Sequence, residues 1–448
     1  MIKALKVTFV GMKTFLGRLH PSKAVTLGYL SYIVIGWVLL CFPIAQKSHG
    51  VGSLDNLFTA TSALSTTGLA TVSISDDYNF LGQVIILTLI ELGGIGYMTF
   101  GSFVILARKK EFTYPRAQIA NAVFSLPKNF VITKFIKSVI AFTVVIELIG
   151  AGALYALFVH AGASQPLWSA IFHSVSAFCT AGFSLYNDSF MGFADRFWLN
   201  AVIATLSILG AIGFIVCVDF WRLITGRTTH MTLTSKIILW SSGILLIGGT
   251  CLLALFEPTI QNKPADIQLL EAFFQAMAAM TTVGFNTIDI GSLSRASLLV
   301  IIFLMVIGAS PSGTGGGLKS TTFSALIGVM KSAIRGTRSV QFWGKEVPLE
   351  RVWTAVAGLG FYVGLLLFGT YLLELTQSFR FEQNLFEAAS ALGTVGLSTG
   401  ITASLTDIGK LIIIFLMFTG RIGPLTFSMA LSLHREERLT DAEVDLAV

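Results

Sequence analysis

This chain is short of charge. Only 12% of its 448 residues are Asp, Glu, Lys or Arg, while 54% are hydrophobic. Soluble domains carry about twice that charged fraction, so a soluble globular fold is excluded. Cysteine is also scarce. Cys41, Cys179, Cys217 and Cys251 each sit in or beside an apolar run, which excludes a disulfide framework and predicts small buried hydrophobes. The few histidines, among them His160, His173 and His230, are scattered and show no metal-ligand spacing. No H-E-x-x-H, no G-x-S-x-G and no nucleophile–base pair lies in an apolar run, which speaks against an enzyme. A dinucleotide fingerprint is missing too, so any nucleotide control must come from a partner.

One stretch imitates a phosphate loop. "SGTGGGLKST" (312–321) has the glycines, the lysine and the hydroxyls, but Leu318 separates the last glycine from Lys319. The preceding run "LLVIIFLMVIGAS" is long and apolar, with no βαβ unit around it. A Walker loop requires both the spacing and that context, so the glycines need another explanation.

What the chain has is long apolar runs. About 20 apolar residues cross a bilayer as a helix, and such runs lie near 25–44, 81–106, 135–158, 197–218, 235–256, 296–330, 352–375 and 409–433. The N-terminal segment is basic and mildly amphipathic, without the apolar core and cleavage site of a signal peptide. It reads as a cytoplasmic helix near the membrane. With it inside, 22 of the 30 Lys and Arg residues fall on the cytoplasmic side and six on the other, while Lys319 and Arg421 lie within spans. This is the positive-inside bias. The net charge of +6 therefore encodes topology, and a nucleic-acid partner is excluded.

Four stretches repeat: "LFTATSALSTTGLATVS" (57–73), "IFHSVSAFCTAGFSLYN" (171–187), "FFQAMAAMTTVGFNTID" (273–289) and "LFEAASALGTVGLSTGI" (385–401). Each ends its apolar segment in T-x-G, and each is flanked by apolar spans. The spans that follow also align, as "ELGGIGYMTF" (91–100), "ILGAIGFIVC" (208–217) and "FTGRIGPLTF" (418–427), with "VIGAS" (306–310) opening the third before it departs into the glycine loop. The segment before each T-x-G is about a dozen residues, enough as a helix for only half the hydrocarbon core. Non-helical backbone at that depth must be buried in protein or line a water-filled path. Four short helices aiming their partly negative C-terminal ends at one axis would favour a cation there. Carbonyls of the turns would replace its water shell.

These motifs resemble the Trk/Ktr/HKT superfamily of potassium transporters, most closely the membrane subunit of bacterial Ktr systems, over about residues 20–435. The resemblance implies an all-α integral membrane protein of four pseudo-symmetric helix–pore-helix–helix repeats, with eight spans and four half-spanning pore helices around a central pore. The repeats fall at 25–107, 135–220, 235–330 and 352–433. A cytoplasmic N-terminal segment (1–24), linker (108–134) and tail (434–448) complete the chain. Carried over residue by residue, the filter is Thr66-Thr67-Gly68, Thr180-Ala181-Gly182, Thr282-Val283-Gly284 and Thr394-Val395-Gly396. Gly68, where sodium-preferring members often have serine, favours potassium; Ala181, preceded by Cys179, is the departure in the set. No cofactor is expected. Potassium is the substrate, with sodium a candidate activator. The expected setting is the cell membrane, both termini cytoplasmic. There the chain forms a homodimer in lipid, on a cytosolic ring of a nucleotide-binding, RCK-type regulatory protein.

The glycine run then reads as a gate. Pro311 breaks the helix, and Gly313, Gly315, Gly316 and Gly317 make its continuation costly, giving an intramembrane loop (310–319) below the filter. Arg421 aligns with Gly94, Ala211 and Ala309; a long cation among tiny residues either narrows the path or ties the loop through its carbonyls. Lys319 is read as snorkelling or gating. Glu91 and Glu147 are read as protonated or paired between helices. The loop 108–137 is a candidate dock for the regulator. The rival reading is an ion-coupled secondary carrier, which also uses broken helices and midplane acids.

Overall fold

The computed structural model describes residues 21–47, 50–96, 132–308, 310–311, 313–337 and 339–423. The expected N-terminal helix up to residue 20, most of the linker, Ala309 and the tail lie outside the described residues.

The chain is helical and falls into four groups of a long helix, a short one and a medium one, except that in the third the short helix has 16 residues and the medium one 12. The first group is α1 (Pro21–Cys41), α2 (Ser53–Leu64) and α3 (Phe80–Ile95). The second is α4 (Ile132–His160), α5 (Pro166–Phe178) and α6 (Phe197–Ala211), followed by α7 (Phe214–Ile224). The third is α8 (Leu233–Phe256), α9 (Ala265–Met280) and α10 (Arg295–Val306), with α11 (Ser320–Arg335) beyond a break. The fourth is α12 (Leu349–Thr376), α13 (Phe381–Gly393) and α14 (Asp407–Ile422). A hairpin of β1 (Gln341–Phe342) and β2 (Lys345–Glu346) qualifies the all-α expectation. Its turn residues Trp343 and Gly344 both have positive φ, as a two-residue hairpin requires.

Among the described residues, the stretches Lys137–His160, Leu233–Phe256 and Leu349–Thr376 are long and apolar enough to cross a membrane unbroken. Their outer faces expose Leu148, Ile149, Ile244, Ile247, Leu367 and Phe368, surfaces suited to lipid. The second group corrects the expectation of a continuous second span. The run read as 197–218 is two helices turned by 102°. That break falls at Gly213, φ 90°, and α3 and α14 end at the equivalent Gly96 and Gly423, φ 86° and 91°. Only glycine enters that backbone region cheaply, and these three positions align. The third member ends at Val306, where Pro311 would clash with the carbonyl four residues before it.

Packing within each group repeats as well. Gly36 of α1, Gly150 of α4, Gly249 of α8 and Gly369 of α12 receive the side chains of Leu89, Leu206, Leu304 and Leu416. The four leucines are equivalent positions of the medium helices. Each glycine is a notch without which the long and medium helices could not approach. The short helices lie deepest: Phe58, Phe172, Phe274 and Phe386, one per helix at equivalent positions, are wholly buried. Cys179 is buried as expected, but Cys251 is exposed on α8, because it faces outward with Leu252 and Leu255.

Candidate ion pathway

All four short helices end in the same way. Thr66, Thr180, Thr282 and Thr394 have φ of 52°, 51°, 60° and 51°. Each occupies the left-handed position of a Schellman cap. Thr66 N–H donates to Ala63 O at 3.1 Å and Thr67 N–H to Ser62 O at 2.8 Å, and the other three ends repeat this at 2.8–3.3 Å. Glycine normally takes that position. A β-branched residue there costs about 1–3 kcal/mol, and such strain clusters at functional sites.

The next turn is also left-handed: Gly68, Gly182, Gly284 and Gly396 have φ of 95°, 65°, 76° and 95°. Their neighbours close a ring. A Cβ on Gly68 would strike the carbonyl oxygen of Ala181, one on Gly182 that of Val283, one on Gly284 that of Val395, and one on Gly396 that of Thr67. Each T-x-G turn thus abuts the next in chain order and the fourth abuts the first. Four segments about a hundred residues apart in sequence meet, carbonyl against glycine, around one axis. Serines one turn back hold the glycines. Ser62 Oγ accepts from Gly68 N–H at 3.1 Å and Ser390 Oγ from Gly396 N–H at 3.0 Å, and Ser176 donates to Phe183 O at 2.8 Å. The third helix has Ala278 there, and Gly284 N–H bonds its carbonyl instead, at 3.3 Å.

The glycine loop lies directly against this ring. Gly316 leaves no room for a Cβ beside Thr394 Oγ1. Thr314 donates to Phe178 O at 3.1 Å and accepts from Thr180 Oγ1 at 3.1 Å. Ser310 N–H and Oγ both bond Ala211 O, at 3.1 and 2.7 Å, and Thr314 N–H bonds Gly210 O at 3.1 Å. Lys319 folds back to donate to Gly315 O at 2.7 Å, so its ammonium caps the loop's own carbonyl.

Arg421 joins the loop to the first group. Its guanidinium donates to Thr66 Oγ1 at 2.8 Å, to the carbonyls of Thr314 and Gly93, and to Gly94 O at 3.5 Å. Two of the four ring-threonine hydroxyls, those of Thr66 and Thr180, are therefore engaged by Arg421 and the glycine loop. Those of Thr282 and Thr394 have no hydrogen-bond partner among the described residues. Glu91 and Glu147 converge on Cys179, whose thiol lies 3.5 and 3.7 Å from their carboxylates, so the two acids are paired between helices.

Sequence reasoning passed over one column. Seven residues before each filter threonine stand Thr59, His173, Gln275 and Glu387, all wholly buried. The signal was available: in all four aligned stretches a polar residue follows the buried Phe.

A closed ring of four strained turns at the ends of four buried short helices, in an apolar helical protein, defines the class as an integral membrane protein whose four groups meet at one axis. Comparison with known proteins agrees. The model of the TrkH family, described as cation transport protein, matches residues 20–441. The potassium/sodium uptake protein NtpJ of Enterococcus hirae is 35% identical over 94% of this chain and 95% of its own length. The Ktr system potassium uptake protein B of Bacillus subtilis is 33% identical over 95% of this chain and 97% of its own. In fold, the crystal structure of the potassium transporter TrkH from Vibrio parahaemolyticus superposes with a TM-score of 0.74 at 19% identity, covering 92% of this chain and 84% of that one. The chain belongs to the TrkH family of cation transport proteins; it is a multi-pass membrane transporter, not an enzyme.

Proposed function

We propose that this protein takes up potassium across the cell membrane through a channel-like pore. The ring of T-x-G turns is its selectivity filter, and the observation that carries the reading is the cyclic abutment of Gly68, Gly182, Gly284 and Gly396 on their neighbours' carbonyls. Such a ring offers backbone oxygens to a dehydrated cation from all sides. The loop through Gly313, Gly315, Gly316 and Gly317, latched by Arg421, is the gate, since it occupies the inner side of the filter threonines. The four groups act as four membrane–pore–membrane repeats, eight spans in all, with both termini in the cytoplasm. Relatives named as Ktr system components support an assembly with a partner subunit; our reading of that assembly is a homodimer on a cytosolic nucleotide-binding ring of the RCK type. A relative named for potassium and sodium uptake supports a role for sodium beside potassium. The paired Glu91 and Glu147 are the one feature that favours an ion-coupled carrier instead.

The test is growth of a potassium-uptake-deficient bacterium at low potassium, with and without this chain, followed by flux from liposomes. Rescue with channel-like flux per protein is expected. Absence of growth with a membrane-inserted chain refutes potassium uptake, and slow, proton-linked flux favours the carrier.

A further inference from the structure

Glu387 is wholly buried in the middle of α13, and among the described residues it forms no ion pair. Instead it accepts from the hydroxyl of Ser398 and from that of Thr402, which lies 3.1 Å from both carboxylate oxygens. Ser398 stands two residues beyond the filter glycine Gly396, and its Oγ also accepts from Gly400 N–H at 2.9 Å. The carboxylate thus grips the outward strand of the fourth turn at two points, from a helix position two turns behind the filter.

The equivalent residues do the same unequally. His173 donates to Ser169 O at 2.7 Å through Nδ1, leaving Nε2 to accept from Ser184 Oγ at 3.0 Å and from Leu185 N–H at 3.3 Å. Ser184 is likewise two residues past its filter glycine, Gly182. Gln275 reaches its strand through one bond, to Thr287 Oγ1 at 3.2 Å. Thr59 is too short and, among the described residues, makes no hydrogen bond to the strand after Gly68. In the first repeat that strand is tied from outside, Ser73 donating to Asn187 at 2.6 Å and Asn187 to Asp76 at 2.7 Å.

Resting on the filter reading above, we propose that His173, Gln275 and Glu387 of this column are braces that fix the outer half of the filter, and that Glu387, with His173, is a positioning residue for cation selectivity. A filter discriminates by the placement of its carbonyls, and a buried acceptor that holds two hydroxyls resists their displacement more than water would. The brace predicts an order of effect: repeats two and four first, three less, one none.

The experiment is competitive uptake of potassium and sodium by membrane-inserted variants, with Gly68→Ser in the same assay. Glu387→Ala is expected to lower the potassium preference roughly tenfold, the change that ~1.4 kcal/mol in relative site affinity makes, with KM for potassium raised more than maximal uptake is lowered. Ser398→Ala, which leaves the pore helix untouched, should move selectivity the same way. Glu387→Gln should restore it, because Gln275 occupies the sister position. Thr59→Val should leave it unchanged. Wild-type selectivity in both Glu387→Ala and Ser398→Ala, while Gly68→Ser loses it, overturns the brace and leaves the filter standing. Glutamine as unselective as alanine overturns it too. If Gly68→Ser is also unaffected, the filter reading itself fails.

Discussion

One terminal nitrogen of the Arg421 guanidinium donates to the hydroxyl of Thr66 at 2.8 Å, across 355 residues of sequence, and also to the Thr314 carbonyl of the glycine loop, while the other holds the Gly93 carbonyl. One side chain therefore touches both the ring of T-x-G turns and the segment lying against it. It does so as a multi-donor fork rather than as a point charge, and lysine cannot copy a planar fork. The geometry favours a latch over a simple electrostatic barrier.

Arg421→Ala and Arg421→Lys are both expected to raise maximal potassium flux, on the order of tenfold if the latch contributes ~1.4 kcal/mol to the closed state. Flux from liposomes at equal protein content decides it. High flux for alanine but wild-type flux for lysine would leave only charge as the barrier. Low flux for both would make Arg421 a structural support of the pore.

Gly316 packs so closely on Thr394 Oγ1 that no Cβ fits. Gly316→Ala should therefore penalise the docked loop without shortening it, and flux should rise. Deleting Gly315 to Gly317 should raise it further and blunt its regulation. Correctly inserted variants with equal or lower flux would rule out the loop as a gate.

The ring was legible in the sequence because four T-x-G copies stood in register, and the half-length of α2, α5 and α13 followed from segment length against bilayer thickness, whereas α9 is longer, at 16 residues. The left-handed threonines were not legible, because Thr normally avoids positive φ and no local pattern marks the exception. The bend at Gly213 was hidden inside an apolar run that hydropathy reads as continuous. The notch pairs, such as Gly249 with Leu304, are long-range contacts, visible in sequence only after the repeats are aligned on structure. Arg421 stood out against Gly94, Ala211 and Ala309, but its partners did not.

Gly93, Gly210 and Gly420 sit where a Cβ would strike the carbonyls of Leu64, Phe178 and Leu392 at the ends of the short helices. Backbone cannot step aside, so Gly93→Ala should destabilise by about 1–3 kcal/mol through overpacking. Gly358 of α12 has open space around it, and alanine there should be neutral or stabilising by up to ~1 kcal/mol. Thermal unfolding of the two variants in detergent, each against wild type, checks the contrast. Equal behaviour would show that the medium helices are not seated on the pore-helix ends.

Gly68→Ser tests the ring itself. At φ 95° serine is strained, and its Cβ meets the Ala181 carbonyl, so either the first turn or the second must move. Both outcomes displace a carbonyl that would face the ion, and a site tuned to potassium by carbonyl placement should then admit sodium more readily. A fall in potassium preference of roughly tenfold or more is expected in competitive uptake, equivalent to ~1.4 kcal/mol between the two ions. The cyclic geometry adds a second requirement. Gly396→Ser, which would strike Thr67 O, should act in the same direction although it lies at the other end of the chain. Gly400 also has positive φ, 92°, but nothing crowds it, so Gly400→Ser should cost strain without shifting selectivity. Selectivity lost at 68 and 396 and kept at 400 assigns discrimination to the ring. Loss at all three would trace it to general disorder of the outer mouth, and loss at none would remove the ring from the ion path.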